Sequence, residues 1–102
     1  LFIGEDSGGH VNNFLWAYHV DTRELVRILS CPAGAESTGL HAVDALHGWT
    51  YVMSNFQHPG DWQSPLHDQV KATLDPLVRA NYRNRDGAAV GYLSTVPSAL
   101  RR

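Results

Sequence analysis

Three apolar, strand-like runs in this chain each end abruptly in polar and acidic side chains. Residues 1–4 are followed by Glu5 and Asp6, and residues 27–31 lead into the small, polar stretch 32–39. The third run, residues 49–53, continues into the sequence Ser54-Asn55-Phe56-Gln57-His58-Pro59-Gly60-Asp61. Carboxylate and amide oxygens at strand ends are typical ligands of hard metal ions. The pattern therefore predicts a sheet whose ends gather ligands for such ions.

The size and charge of the chain limit its class. Its 102 residues, 43% hydrophobic and 18% charged, are typical of one small globular domain. A net charge of −2 favours neither nucleic acid nor an acidic membrane as partner, and no apolar run is long enough for a transmembrane segment. Cys31 is the only cysteine, which excludes a disulfide within the chain. We predict that it is a small buried thiol.

Hydrophobic alternation predicts a mainly β fold built of antiparallel meander sheets. Residues 14–20 alternate, residues 21–24 have the composition of a turn, and residues 25–30 form the return strand. Further strands are predicted at residues 1–4, 40–43, 49–53 and 88–93, the last entered through Asp86-Gly87.

A segment with helical periodicity separates the last two strands. Apolar residues recur at helical spacing between residues 66 and 78, and Pro76 interrupts them. Asp75 before Pro76 matches an N-cap followed by the first helical residue. The predicted helical pieces are residues 66–74 and 76–82, within an insert that spans residues 62–84.

The order of the strands matches blades of a β-propeller, which repeat every 40–45 residues or so. Residues 1–48 match one blade, and residues 49–102 begin a second blade that contains the helical insert. A propeller closes with roughly 4–8 blades, so this chain represents a partial domain. Leu1 already has the character of a strand interior and the chain does not begin with Met, so we expect a piece of a longer protein. The apolar faces of the blades require neighbouring blades to cover them.

Three acidic residues, at two places in the chain, are candidate metal ligands. Glu5 and Asp6 repel each other unless a cation or a donor lies between them, and the following loop offers Asn12 and backbone oxygens to calcium. The alternative is a polar turn, and the spacing is not that of an EF-hand. Glu36, among small residues, requires a metal or an Arg if it is buried, and otherwise is solvated.

The polar stretch after the third run adds Gln57 and His58. A histidine held before a rigid proline is a possible metal ligand or proton donor, or a structural residue with ordinary hydrogen bonds. A serine triad is not supported, since neither Ser37 nor Ser54 has an evident base in the sequence.

Several of these stretches resemble, in order and spacing, the C-terminal part of PhoX-type alkaline phosphatases. The motifs are Leu1-Phe2-Ile3-Gly4-Glu5-Asp6, Asn13-Phe14-Leu15-Trp16, Pro32-Ala33-Gly34-Ala35-Glu36-Ser37-Thr38-Gly39 and Ser54-Asn55-Phe56-Gln57-His58-Pro59-Gly60. The resemblance covers about the first 60 residues and, more loosely, residues 88–93. The helical stretch does not share it and is interpreted as a lineage-specific insert.

The resemblance implies a six-bladed β-propeller, exported by the twin-arginine route to the periplasm or medium, that hydrolyses phosphate monoesters with Fe³⁺ and Ca²⁺. It implies that Glu5, Asp6 and Glu36 are metal ligands. Asn12, Gln57 and His58 are candidates for lining the pocket, and no catalytic residue is assigned. The iron-binding cysteine and the phosphate-binding arginine of the family are not identifiable in this chain. Its implied partners are a phosphate monoester and the remaining blades of the parent chain.

Two other functions are consistent with the same residues. One is a propeller hydrolase that uses calcium alone, as phytases and lactonases do. The other is a non-catalytic propeller with structural calcium and a role in binding partners. Iron in the full-length protein would favour the metallophosphatase over the calcium-only hydrolase.

Overall fold

The computed structural model describes residues 1–85 and 87–95, which form a mainly β fold with two antiparallel sheets of three strands each. The first sheet has the order β1 (Phe2–Gly4), β2 (Phe14–His19) and β3 (Glu24–Ser30). The second has the order β4 (Glu36–Leu46), β5 (Trp49–Gln57) and β6 (Ala89–Ser94). The predicted antiparallel meanders are therefore confirmed. Asp86, part of the predicted turn before β6, lies outside the described residues, as do residues 96–102 of the second predicted blade.

The first sheet follows the sequence pattern closely. Leu15 of β2 is fully buried, whereas its neighbour Trp16 points to the opposite face and is only partly covered. The hairpin to β3 turns over residues 20–23, one residue earlier than predicted, and the backbone N–H of Arg23 donates to the carbonyl of His19 at 2.8 Å. Arg23 adopts a left-handed conformation with φ 61° to complete this turn.

The second sheet is longer than its sequence indicates. β4 has eleven residues instead of the predicted 40–43, and β5 runs to Gln57 instead of ending at residue 53. Glu36 pairs with Gln57 and Ser37 with Phe56, so pairing with β5 holds these first residues of β4 in a strand. The first sheet ends at Ser30 and the second begins at Glu36, while the blade boundary predicted near residue 48 falls between β4 and β5.

The two sheets meet at their first strands. The backbone N–H of Ser37 in β4 donates to the carbonyl of Glu5, directly after β1, at 3.0 Å. Leu29 of β3 faces β5 and β6 across an apolar gap of about 170 Å³. Cys31 is 2% exposed in this region, which confirms the predicted buried thiol. The buried apolar residues are Leu15, Cys31, Ala33, Ala35, Val52 and Val78.

The helical segment differs from its prediction. A 3-10 helix, Pro65–Gln69, is followed by an α-helix, α1 (Lys71–Asn81), which continues through Pro76. The predicted break there, with Asp75 as an N-cap, is wrong. The Asp75 carboxylate instead accepts hydrogen bonds from Trp62 Nε1 and Arg79 Nε, both at 2.7 Å. These contacts and the burial of Val78 oppose the cost of a proline inside the helix.

Large apolar side chains are exposed on both sheets and on the helices. Among the described residues, the exposed ones are Leu1, Phe2, Ile3, Val20, Leu25, Val26, Leu40, Leu46, Leu66, Leu77, Val90 and Tyr92. They outnumber the large aliphatic residues of the buried core, Leu15, Val52 and Val78. Within the described residues, no helix has the length and apolar character needed to cross a membrane.

Candidate functional site

A cleft of about 330 Å³ lies where the loop after β1, the start of β4 and the segment before the 3-10 helix come together. Three carboxylates line it, those of Asp6, Glu36 and Asp61, and we call it the acidic cleft. Its other lining residues are Ser7, Gly8, Gln63, Ser64, Pro65 and His67. The structure thus brings two predicted ligands, Asp6 and Glu36, to one place and adds Asp61.

Glu36 is oriented by its partner across the sheet. It is the first residue of β4 and pairs with Gln57 of β5, so the two side chains leave the same face. Gln57 Nε2 donates to Glu36 Oε2 at 2.6 Å. The structure therefore places Gln57 beside Glu36, where it fixes the carboxylate, and does not include Gln57 in the lining of the cleft.

Asp61 reaches the cleft through a tight turn at the end of β5. The N–H of Asp61 donates to the His58 carbonyl at 3.1 Å, and the N–H of Gly60 donates to the Ala33 carbonyl at 2.8 Å. Positive φ angles of 57° at His58 and 75° at Gly60 shape this turn. The His58 side chain is exposed and does not line the cleft. Asp61 is the last residue of the polar stretch 54–61 noted in the sequence. Its position directly after the Pro59-Gly60 turn is the signal that could have identified it as a residue of the cleft.

The Glu5 carboxylate forms hydrogen bonds with β2 and with the loop between β1 and β2. Oε1 accepts from Ser7 Oγ at 2.6 Å and lies 2.5 Å from His10 Nδ1. Oε2 accepts from the Phe14 N–H at 3.1 Å and from Trp16 Nε1 at 2.9 Å. Burial raises the pKa of Glu5, but these hydrogen bonds together outweigh it, so that the pKa lies below its ordinary value. Glu5 is thus held ionised by donors of β2 and of the loop between β1 and β2, and it does not line the acidic cleft.

The two neighbouring asparagines have different roles. Asn12 donates to the Cys31 carbonyl at 2.7 Å and lines a groove beside α1 with Leu77 and Tyr82, away from the acidic cleft. Asn13, which sequence reasoning missed, is buried. Its Nδ2 donates to the Ala35 carbonyl at 2.9 Å, and its Oδ1 accepts from the Ser7 N–H at 3.1 Å.

Residues of the helical segment contact the loop after β1. Ser64 Oγ donates to the Gly8 carbonyl at 3.0 Å, and His67 Nε2 lies 3.0 Å from the Val11 carbonyl. His67 Nδ1 accepts from the Ser64 N–H at 3.3 Å. The ring of Trp62 packs edge-on against that of His67, with centroids 5.3 Å apart. The segment interpreted from sequence as an insert therefore supplies one wall of the acidic cleft.

The side-chain groups of the cleft that are free to bind a cation are mainly oxygens. Its carboxylate, amide and hydroxyl oxygens are the hard ligands that calcium prefers. Both nitrogens of His67 are already hydrogen-bonded. Burial, with a contribution from the charge of Glu5, raises the pKa of Cys31, which favours the protonated thiol over a thiolate ligand.

The predicted convergence of Glu5, Asp6 and Glu36 is observed only for the last two. In the part of the chain that the structure describes, no three His, Cys, Asp or Glu side chains are grouped closely enough to hold a metal ion. Asp6, Glu36 and Asp61 therefore line one cleft but, within the described part of the chain, do not by themselves form a metal site.

Comparisons of the chain with models of protein families, with curated proteins and with solved structures found no match. The acidic cleft and the exposed apolar faces are therefore the features on which a functional proposal depends.

Proposed function

We propose that this chain forms two neighbouring blades of a larger β-propeller. Its two antiparallel meanders lie side by side through their first strands, β1 and β4, as successive blades do around a central axis. The large apolar side chains exposed on both sheets, such as Leu25, Val26, Val90 and Tyr92, support this arrangement. Further sheets of the parent chain would cover them, because a stacked repeat buries its faces against its neighbours.

We propose that the acidic cleft contributes to a calcium site in a metal-dependent phosphatase that hydrolyses phosphate monoesters. The observation that supports this function is that Asp6, Glu36 and Asp61, from three separate segments, line one cleft where β1 and β4 meet. Bound cations would neutralise the phosphoryl oxygens of the substrate. The resemblance of the motifs to PhoX-type alkaline phosphatases favours this activity, the use of iron bound elsewhere in the parent chain, and export to the periplasm or medium.

The ligand set in this chain is incomplete, and this determines its expected properties. The weakest calcium sites, such as those of extracellular modules, bind with dissociation constants of about 10⁻⁴ to 10⁻³ M. We expect the 102-residue chain to bind calcium in this weak range and to lack phosphatase activity, because the remaining ligands would come from other blades.

Calcium titration calorimetry of four variants tests the cleft. Asp6→Asn, Glu36→Gln and Asp61→Asn each remove one negative charge and are expected to weaken binding at least fivefold. Asp21→Asn, in the exposed turn between β2 and β3, is the matched control and should leave the calcium affinity unchanged. Equal affinity in all four variants, or no binding by the unsubstituted protein, would overturn the proposal.

The second candidate is a propeller hydrolase that uses calcium alone. The carboxylate, amide and hydroxyl oxygens of the acidic cleft are equally consistent with it, since calcium takes such ligands. Metal analysis of the full-length protein separates the two enzymes: iron supports the phosphatase, and calcium without iron supports the second candidate. Calcium with no hydrolysis of any phosphate ester or lactone would indicate a non-catalytic binding propeller.

A further inference from the structure

His67 is buried and fully engaged with the backbone. It is 5% exposed, its Nδ1 accepts from the Ser64 N–H, and its Nε2 contacts the Val11 carbonyl. A carbonyl oxygen only accepts hydrogen bonds, so the ring proton lies on Nε2. Both nitrogens are therefore occupied, and the contribution of His67 to the acidic cleft is to hold other residues in place.

Ser64 adds a second connection to the same loop. Its side chain is buried, donates to the Gly8 carbonyl at 3.0 Å and accepts from the Leu66 N–H at 3.2 Å. Ser64 and His67 thus contact residues 56 positions earlier in the chain, Gly8 and Val11. The loop 7–13 is attached to the helical segment at both of these points.

The far end of the loop is attached to the second sheet. Asn13 donates to the Ala35 carbonyl, next to Glu36, and accepts from the Ser7 N–H. Asp6 directly precedes Ser7, whose backbone N–H is held by this hydrogen bond to Asn13. The position of Asp6 relative to Glu36 and Asp61, which line the same cleft, therefore depends on how firmly loop 7–13 is held.

We propose that Ser64 and His67 are positioning residues that hold loop 7–13, so that Asp6 faces Glu36 and Asp61 across the acidic cleft. The helical segment is then a required part of the cleft. The positioning role concerns the geometry of the loop, and its effect on calcium affinity rests on the proposed function above.

Two substitutions of His67 separate hydrogen bonding from packing. His67→Phe retains an aromatic ring against Trp62 but has neither the donor to Val11 nor the acceptor for Ser64. His67→Gln offers one donor and one acceptor and is the conservative variant. Ser64→Ala removes only the bond to Gly8 and the cap of the 3-10 helix. Gln69→Ala, at an exposed position of the same helix, is the matched control.

Amide hydrogen exchange of loop 7–13 and calcium calorimetry are the two readouts. We expect His67→Phe to speed exchange in the loop at least tenfold and to weaken calcium binding at least fivefold, His67→Gln to restore most of both, and Gln69→Ala to change neither. If His67→Phe fails to fold, Ser64→Ala is expected to give the same two changes at smaller size.

The outcomes distinguish the two proposals. Unchanged loop exchange in His67→Phe, or in Ser64→Ala if the former is unfolded, would overturn the positioning role. Faster exchange with unchanged calcium affinity would also overturn it. Faster exchange in a protein that binds no calcium even when unsubstituted would overturn the proposed function and confirm only that the loop is held by the helical segment.

Discussion

The backbone N–H of Ser37 donates a hydrogen bond of 3.0 Å to the carbonyl oxygen of Glu5, and this bond connects the two sheets. It is possible because Gly4, beside Glu5, has no side chain. A Cβ atom at Gly4 would collide with the carbonyl oxygen of Ser37. The close approach of β1 to β4, which also shapes the acidic cleft, thus depends on one glycine.

Gly4→Ala is expected to destabilise the fold by about 2–3 kcal/mol, since the collision involves backbone atoms that cannot rotate away. The matched control is Gly91→Ala in β6, where the new Cβ would lie 3.8 Å from the Ser54 carbonyl oxygen, an ordinary contact. The control is expected to change stability by less than about 1 kcal/mol. Urea unfolding of both variants measures the difference, and equal midpoints would contradict the close approach.

Glu5→Gln is expected to reduce stability at neutral pH by about 1–2 kcal/mol, because the amide cannot accept all the donors that surround the carboxylate. The pKa of Glu5 is lowered in the folded state, so its stabilising effect is complete above the unfolded pKa and is lost as pH falls through the folded pKa. The difference between the variant and the unsubstituted protein should therefore shrink on acidification.

Urea unfolding at a series of pH values below about 5 checks this dependence. Glu24→Gln, at the exposed start of β3, serves as the control and should show no such change. A stability difference for Glu5→Gln that is the same at pH 7 and in acid would refute the lowered pKa.

Pro76→Ala is expected to stabilise the protein by about 1–3 kcal/mol. Alanine restores the N–H that can donate to the Ala72 carbonyl within α1, and it removes the clash of the proline ring with the preceding turn. The greater freedom of the unfolded alanine variant offsets part of this gain. Thermal unfolding, monitored by circular dichroism, measures the change in stability. A variant less stable than the unsubstituted protein would support the predicted break at Pro76 over the continuous helix.

The accuracy of the sequence interpretation varied along the chain for physical reasons. The alternation in β2 and the turn before β3 were predictable because their hydrogen bonds and burial are local. β4 was predicted too short because its first residues, Glu36 and Ser37, have no alternating pattern and become strand only by pairing with β5. The helix through Pro76 likewise depends on a distant contact, from Trp62 to Asp75.

The site was predictable only in part. Asp6 and Glu36 were found because acidic residues at strand ends are a local signal. Glu5 forms hydrogen bonds with Trp16 and His10, which the sequence pattern does not connect to it. Likewise, His67 and Ser64 contact loop 7–13 from a distant part of the sequence. No periodicity or spacing in a single sequence reports such contacts.

Cys31 is expected to resist thiol reagents while the protein is folded. It is 2% exposed, and burial raises the pKa of its thiol, so the reactive thiolate is scarce. The control is Ser30→Cys in a Cys31→Ala background, which moves the single thiol to the exposed neighbouring residue. This thiol should react rapidly. Absorbance assays with an aromatic disulfide reagent, with and without urea, measure both rates. Equal rates for the two folded proteins would contradict the burial of Cys31.

The isolated 102-residue chain is expected to hydrolyse p-nitrophenyl phosphate no faster than buffer, even with iron and calcium added, because under the proposed function the acidic cleft has only part of a ligand set. The proposed parent protein is the positive control. Clear turnover by the isolated chain, lost in Asp6→Asn, would show that these two sheets already contain a complete site.

The three tryptophans are distributed one to each part of the fold: Trp16 in β2, Trp49 in β5 and Trp62 before the 3-10 helix. Trp16 and Trp62 each donate to a carboxylate, of Glu5 and Asp75 respectively. Each part of the molecule consequently has its own intrinsic fluorophore. Proteins that retain a single indole would report separately, by emission wavelength, on whether the first sheet, the second sheet and the helical segment melt together or in sequence.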